Sequence, residues 1–353
     1  MRTIEFGIIG GGWRSEFFLR IARALPSRFS VAGVVIRDAE KGTAFERAWN
    51  VHAYRTPEDM LRSKHPSFVV LSTPRKVTAG LIASLAARGV PVLSETPPAN
   101  DAADIEALMA AVPRTAKIQV AEQYPFQPHL AAAIAVAHSG KLGAVSQAQV
   151  SVAHGYHGIV IMRRLLGIGY QKATVHTINF GSPLVAGPGR NGAPQREAIG
   201  SSMQMIATMQ FDGKLGIFDF TGDQYFSWVR SNRMLVRGER GEICNDTVRY
   251  LKDFRTPMRS QFMRENAGEN GNLEGLHLRG IIMDGEWVYT NPFPAPLSDD
   301  EIAVATCLER MAAYCEGGEP FYSLTEAAYD HYLGMMIESS NGPTVIDVPT
   351  WAK

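Results

Sequence analysis

The sequence predicts an α/β protein in two parts: a parallel, doubly wound sheet domain, then an α/β domain with a mainly antiparallel open sheet. Three observations predict it. The strand-like run Ile4–Ile9 enters Gly10-Gly11-Gly12 and leaves as a helix near Ser15. Strand and helix patterns then alternate over roughly the first 120 residues. Beyond them, short strands of alternating polarity are joined by tight turns such as Asp212-Gly213.

In the first part, Phe18, Ile21, Ala22 and Leu25 follow helical spacing and form one apolar face. Residues 31–36 are continuously apolar, as expected of a strand buried on both faces. A polar helix is predicted over Ala39–Trp49, a strand at 68–72, a helix at 77–87 and a strand at 90–94. Ile105, Leu108, Met109 and Val112 repeat the helical spacing before a strand at 117–121. Such alternation implies parallel strands with right-handed crossovers, a Rossmann-type domain. Residues 122–128 are the expected hinge, so the domains run 1–123 and 124–353, and the C-terminal segment is allowed to pack back on the first.

The second part begins with a helix at 129–139, a strand at 145–153 and a helix from about 158 to 166. Strands are expected at 174–180, 202–211, Lys214–Thr221, 234–237 and 241–245. Residues 181–200 and 254–275 read as long loops, and a helix at Leu324–Ser339 and a strand at 345–348 close the chain.

With 353 residues the chain exceeds a single ordinary core, so two domains are expected. Lysine plus arginine balance aspartate plus glutamate at 35 each, which gives no basic surface for nucleic acid. No apolar run approaches the roughly 20 residues of a membrane helix. The start reads as strand and glycine loop, not a signal peptide, so the cytoplasm is the expected compartment. Cys244, Cys307 and Cys315 lack metal-ligand spacing and are expected to be buried thiols.

The glycine loop carries the first chemistry. Gly10 permits a tight turn, and Gly12 lets the main chain approach a pyrophosphate on the positive end of the following helix. Ser15 takes the third small position, with a hydroxyl suited to capping. Trp13 and Arg14 join Gly10 and Gly12 as candidate cofactor contacts. NAD enzymes commonly hold the ribose hydroxyls with an acid at the end of the second strand. Here that end reads Ile36-Arg37-Asp38, which displaces the acid by two. Arg37 suits the 2′-phosphate of NADP or adenine, and Asp38 suits the ribose. The cofactor is therefore NAD or NADP, with a slight lean to NADP. Thr73, Pro74, Glu95 and Glu122 lie just past strand ends, where ligands bind in open parallel sheets. A structural cap is the other reading of each. Arg75 and Lys76 fit a solvated helix start better than a phosphate site.

The second chemistry is His154, Tyr156 and His157. Histidine suits proton transfer because its ordinary pKa, about 6.5, is near neutrality. Zinc is not expected, since no further ligand has suitable spacing. On the helix that follows, one of Arg163 and Arg164 is expected to face the cleft or the domain boundary, and a surface ion pair is the other reading of either. Tyr225, Phe226 and Trp228 read as core or subunit contact more readily than as a sugar platform.

In order and spacing these segments resemble the Gfo/Idh/MocA oxidoreductase family. The resemblance rests on the glycine loop, Ser72-Thr73-Pro74, Ser94-Glu95-Thr96-Pro97 and Ser139-Gly140-Lys141-Leu142-Gly143. It continues in His157 with Gly167 and in the segment from Phe321 to Ala327. It implies a Rossmann domain, a C-terminal domain whose open sheet face mediates homodimers or homotetramers, and NAD(P)-dependent chemistry on sugars, polyols and similar small substrates. Two departures stand out. The family's usual Glu-Lys-Pro lysine is Thr96 here, and its aspartate four residues before the active-site histidine is Ala153. Thr96 can hydrogen-bond a substrate oxygen but supplies no charge. The resemblance then implies His157 as the acid/base, with Tyr156 or His154 as substrate contact or orienter. Two other functions stay open: nicotinamide-dependent hydrolysis or elimination of a glycoside, and a non-catalytic NAD(P) or sugar sensor.

Overall fold

The computed structural model describes residues 3–269, 271, 275–340 and 342–352. The chain forms two compact units, Met1–Pro128 with Asn266–Arg279 and Asn291–Ala328, and His129–Glu265 with Gly280–Thr290 and Tyr329–Lys353.

The first unit opens with Ile4–Ile9 (β1), Ser15–Ala24 (α1), Phe29–Val35 (β2), Ala39–Trp49 (α2), Ala53–Tyr54 (β3) and Pro57–Ser63 (α3). Phe68–Leu71 (β4), Arg75–Ala87 (α4), Val92–Ser94 (β5), Ala102–Ala111 (α5) and Ile118–Val120 (β6) follow. The sheet order is β3-β2-β1-β4-β5-β6, with every pair parallel. Strand order reverses between β1 and β4, the topological switch point where open α/β sheets bind ligands. Phe6, Ile8, Phe68, Val69, Val70 and Leu71 are fully buried, as continuous apolar runs covered on both faces must be. The sequence reading missed β3 and α3, although Thr56 accepts from the Asp59 N–H and Pro57 occupies the first turn, a recognisable helix start.

The second unit is built on a larger sheet. Its elements begin with Pro128–His138 (α6), Val145–Ser151 (β7), Gly155–Leu166 (α7), Ala173–Val185 (β8), Ile199–Phe211 (β9) and Lys214–Thr221 (β10). Arg233–Gly238 (β11), Gly241–Cys244 (β12), Thr247–Asp253 (β13), Thr256–Gln261 (β14), Met263–Ala267 (β15), His277–Met283 (β16) and Glu286–Thr290 (β17) come next. Asp299–Cys315 (α8), which belongs to the first unit, Leu324–Ser339 (α9) and Thr344–Ile346 (β18) complete the chain order. Nine strands run β14-β13-β12-β11-β7-β10-β9-β8-β18. Only the β7–β10 pair is parallel among those paired in register.

Several expectations need correction. The loop expected at 181–200 is shorter, because β8 and β9 stay paired out to Val185 and Ile199. Both faces of that extension are largely exposed, so no apolar alternation marked it. The loop expected at 254–275 contains β14 and β15, while residues 270 and 272–274 of it lie outside the described residues. β14 is an edge strand with charge facing charge, Arg249 opposite Arg259, a pattern that reads as loop. Helix α7 begins at Gly155 instead of 158, which places Tyr156 and His157 in its first turn.

α7 is buried almost all round. A β-carbon on Gly158 would lie 2.5 Å from the Phe218 ring, and one on Gly216 would lie 2.2 Å from Met162 Sδ, so glycine lets helix and sheet close. α9 covers its other side: a β-carbon on Gly334 would lie 3.1 Å from the Tyr156 nitrogen. Farther along, Arg163 donates to Asp330 at 2.5 Å, and both side chains are buried. The Arg163 guanidinium also lies 4.9 Å from the Tyr329 ring centroid. A surface ion pair does not describe Arg163, since its pair with Asp330 is buried. Arg163→Met should leave the Asp330 carboxylate buried without its cation and cost about 3–5 kcal/mol. Chemical denaturation of the variant checks this, and the double change Arg163→Met with Asp330→Asn should recover part of the loss.

Candidate functional site

The dinucleotide half starts at Gly10. Its φ is +122°, and a β-carbon there would lie 2.0 Å from the Ser72 carbonyl oxygen. Gly11 is hemmed in by Ile36, whereas a β-carbon on Gly12 would meet nothing within 4 Å. The three glycines thus differ: Gly10 and Gly11 satisfy the fold, and Gly12 opens on space that a side chain would fill. Ser15 does not cap α1. Its buried hydroxyl donates to the Gly10 carbonyl at 3.1 Å and ties the loop to the helix.

Arg14 is half of a salt-linked cluster that the sequence did not reveal. Its Nε donates to Glu95 at 3.0 Å and its Nη1 to Asp300 at 2.7 Å. Burial opposes the guanidinium's charge, but Glu95 and Asp300 outweigh it and hold the pKa above its usual range. Asp300 lies in the first turn of α8, beside the Ser298–Glu301 capping box. That box, before the apolar run 302–305, was the signal that would have found α8. Trp13 is exposed and packs edge-on against Phe17, 5.6 Å between centroids.

Arg37 and Asp38 are both exposed. Asp38 caps α2, accepting from the Lys41 N–H at 2.8 Å. Arg55, unnoticed in the sequence, closes this turn by donating to the carbonyls of Ile36 and Asp38. The Thr73 hydroxyl lies 2.9 Å from that of buried Thr78, while Pro74, Arg75 and Lys76 are exposed at the start of α4. Thr96 is half-buried, and its hydroxyl makes no hydrogen bond among the described residues. Glu122 is buried and accepts from the Tyr124 N–H at 3.2 Å.

The histidine half lies in the second unit. His154 is exposed at the N-cap of α7, with its ring centroid 4.9 Å from that of His157 and 5.6 Å from that of Tyr156. Tyr156 and His157 are buried, 4.2 Å between centroids. His331 of α9 stands edge-on to Tyr156 at 5.4 Å, an addition that sequence distance concealed. The Tyr225 hydroxyl meets His154 twice, at 3.1 Å from its main-chain nitrogen and 2.6 Å from Nδ1. Tyr225, Phe226 and Trp228 are not core; all three are exposed. No group of three or more potential metal ligands exists among the described residues.

The thiols also differ from expectation. Cys244 is exposed and only Cys307 is fully buried. Burial, then Glu95 and Glu122, pushes the Cys307 thiol well up, and burial pushes Cys315 to about 11. Neither is a nucleophile at neutral pH. Among the described residues, no helix is long and apolar enough to cross a membrane.

With this geometry in place, comparison with known proteins can be read. Residues 4–124 match the model of the GFO_IDH_MocA oxidoreductase family, NAD-binding Rossmann fold. Over that segment the chain is similar to that family. No curated protein sequence matches the chain. Solved structures of similar fold include levoglucosan dehydrogenase with NADH and levoglucosan, at 16% identity and a TM-score of 0.69, covering 99% of this chain and 100% of that one. An oxidoreductase from Agrobacterium radiobacter with NAD+, L-tartaric acid and magnesium is 17% identical, with a TM-score of 0.64 and 98% of each chain covered. A putative myo-inositol dehydrogenase from Sinorhizobium meliloti 1021 is 16% identical, with a TM-score of 0.63, covering 98% and 100%. The family is described as NAD-binding, and the lean to NADP finds no support in these comparisons.

Gly12→Val should weaken NAD binding at least tenfold while thermal unfolding stays near wild type, because the new side chain fills only open space. Gly10→Ala should instead destabilise the fold by about 1–3 kcal/mol or more, since its β-carbon meets backbone. Calorimetric titration and thermal melts distinguish the two.

Proposed function

We propose that the protein is an NAD-dependent oxidoreductase acting on a hydroxyl or carbonyl group of a sugar-like or polyol substrate. The observation that carries this is the Gly12 opening at the switch point of a domain similar to an NAD-binding oxidoreductase family. Neighbours of the same fold that act on levoglucosan or carry the inositol name support the substrate class. Gly10, Gly12 and Trp13 would hold the dinucleotide, with Arg37 and Asp38 near the adenosine ribose and Thr73, Pro74, Glu95 and Glu122 toward the nicotinamide end. When bound, the nicotinamide accepts or returns a hydride.

The protein's own residues manage the proton. In the oxidative direction the substrate hydroxyl gives its proton to the His157 imidazole as the C–H hydride departs, leaving a carbonyl. Thr96 orients a substrate oxygen, and Tyr156 and His154 supply further contacts. Nothing in this route needs the missing lysine or the aspartate replaced by Ala153.

The test is a cofactor-reduction screen with NAD and NADP over polyols and sugars, including levoglucosan and myo-inositol, and the reverse assay with L-sorbose. His157→Asn should lower turnover by about 10²- to 10⁴-fold with little change in NAD affinity. Thr96→Val should act mainly on KM. Loss of rate in Thr96→Val with full rate in His157→Asn would refute this proton route. Turnover without net cofactor change would point to hydrolysis or elimination, and binding without turnover to a sensor.

We further propose that the chain works as a closed homodimer or homotetramer. On β8, Ile178 and Phe180 are more than half exposed, and Ile178 stands opposite Ile206 on the same open face. Light scattering at micromolar concentration should give a multiple of 38.6 kDa.

A further inference from the structure

We propose that Arg14 Nη2 and the Gln123 amide form a pair that holds a primary carboxamide, the one at the nicotinamide end of the dinucleotide. The choice of ligand rests on the NAD-binding reading above.

The pair consists of two polar groups that the fold leaves unused. Arg14 engages Glu95 through Nε and Asp300 through Nη1, at 3.0 and 2.7 Å. Its Nη2 is buried and has no hydrogen-bond partner among the described residues. The same holds for Oε1 of Gln123, a residue only 7% exposed. A buried donor or acceptor left unpaired costs about 1–3 kcal/mol, so a ligand that satisfies both recovers that cost on binding.

Both groups stand where a ligand of this sheet belongs. Arg14 lies in the turn after β1, Glu95 follows β5 and Gln123 lies just past β6, all at the carboxyl ends of parallel strands. The bond to Glu95 carries the guanidinium across the switch point, from the glycine loop to the β4-β5-β6 half. With the pyrophosphate at the glycine loop, that half is the one left for the nicotinamide. Gln127 follows Gln123 across the single turn Tyr124–Phe126 and donates to the same Asp300 carboxylate at 3.3 Å. One carboxylate therefore ties Arg14 to the segment that carries Gln123.

Charge and hydrogen-bond type then select the ligand. Two carboxylates around one guanidinium leave the cluster net negative, which disfavours an anionic group beside it. A primary carboxamide is neutral and carries an acceptor oxygen next to an N–H donor. Its oxygen suits Arg14 Nη2. Its nitrogen suits Gln123 Oε1, and if the glutamine amide is turned end for end the carboxamide oxygen answers instead. A carboxylate meets only one of these orientations.

The test is calorimetric titration of the full chain with NAD, with nicotinic acid adenine dinucleotide, whose carboxylate replaces the carboxamide, and with ADP-ribose, which lacks the ring. Wild type should bind NAD about tenfold or more tightly than the carboxylate analogue. Arg14→Lys keeps a cation between the two carboxylates but has no Nη2, and Gln123→Met keeps the length and removes the amide. Each should weaken NAD about tenfold and leave ADP-ribose within about threefold of wild type. Equal wild-type affinity for NAD and the carboxylate analogue, or equal losses of NAD and ADP-ribose in the variants, overturns the proposal. If a variant fails to fold, the wild-type comparison decides alone. Binding of all three ligands without discrimination refutes the pair and leaves the NAD-binding reading intact, whereas binding of none defeats that reading and the pair with it.

Discussion

One carbonyl oxygen constrains the dinucleotide half. Ser72 O occupies the place a β-carbon of residue 10 would need, so only glycine lets β1 end against β4. Around that contact the main chain is stitched to both neighbours: Gly10 N–H donates to Val35 O at 3.1 Å and Ser72 N–H to Ile9 O at 2.9 Å. The Ser15 hydroxyl then pulls α1 back onto the loop. The result is a tight turn into α1, with the Ser15 N–H donating to Gly12 O at 3.0 Å and open space where a β-carbon of Gly12 would stand. Arg14 adds less than its charge suggests. Glu95 and Asp300 set two carboxylates against its one cation, so it straps the loop to α8 and has little net charge left for a phosphate.

The parallel half was legible because each signal was local. Continuous apolar runs and a glycine loop need no distant partner to be recognised, and β1, α2 and α9 fall where the spacing put them. The contacts that join elements were not legible. Asp300 is 286 residues from Arg14, and Asp330 is 167 from Arg163. Nothing in a periodic pattern links such positions. Strand β14 failed for another reason: on the edge of its sheet, charged side chains remain solvated and apolar alternation is lost. Tyr225 was visible only as part of an aromatic cluster. It meets His154 from a four-residue turn, too short to stand out against the neighbouring strand.

The two histidines, grouped by sequence, are separated by structure. His157 sits within the first turn of a helix that packs against the sheet on one side and α9 on the other. Its position is set by glycines at 158, 216 and 334, which allow the close approach. His154 precedes that helix, is exposed, and takes its orientation from a side chain on another element. A buried group in a rigid helix and an exposed group on a hydrogen-bonded tether respond differently to substitution. Changes to the sheet or α9 reach His157 through packing. Changes to the turn that carries Tyr225 reach His154 through its partner.

On the proposed reading, Thr96 and Ala153 stand where the family resemblance implies a lysine and an aspartate, and that alters the electrostatics of proton transfer. An ammonium stabilises a developing alkoxide by charge as well as by hydrogen bonding, whereas a hydroxyl and a neutral imidazole offer only the bond. On the proposed reading, the charge of an oxidative transition state must therefore be limited by moving the proton and the hydride together. That demand falls on geometry more than on field strength. The side chains kept in this chain suit it: a buried His157, an oriented His154, and a phenol that removes rotational freedom from the exposed ring. Preorganised neutral donors can do part of the work of a charge when they are held before the reaction begins. The buried Ser151–Gln224 pair, met from the surface by Arg233, is where the structure invests that order.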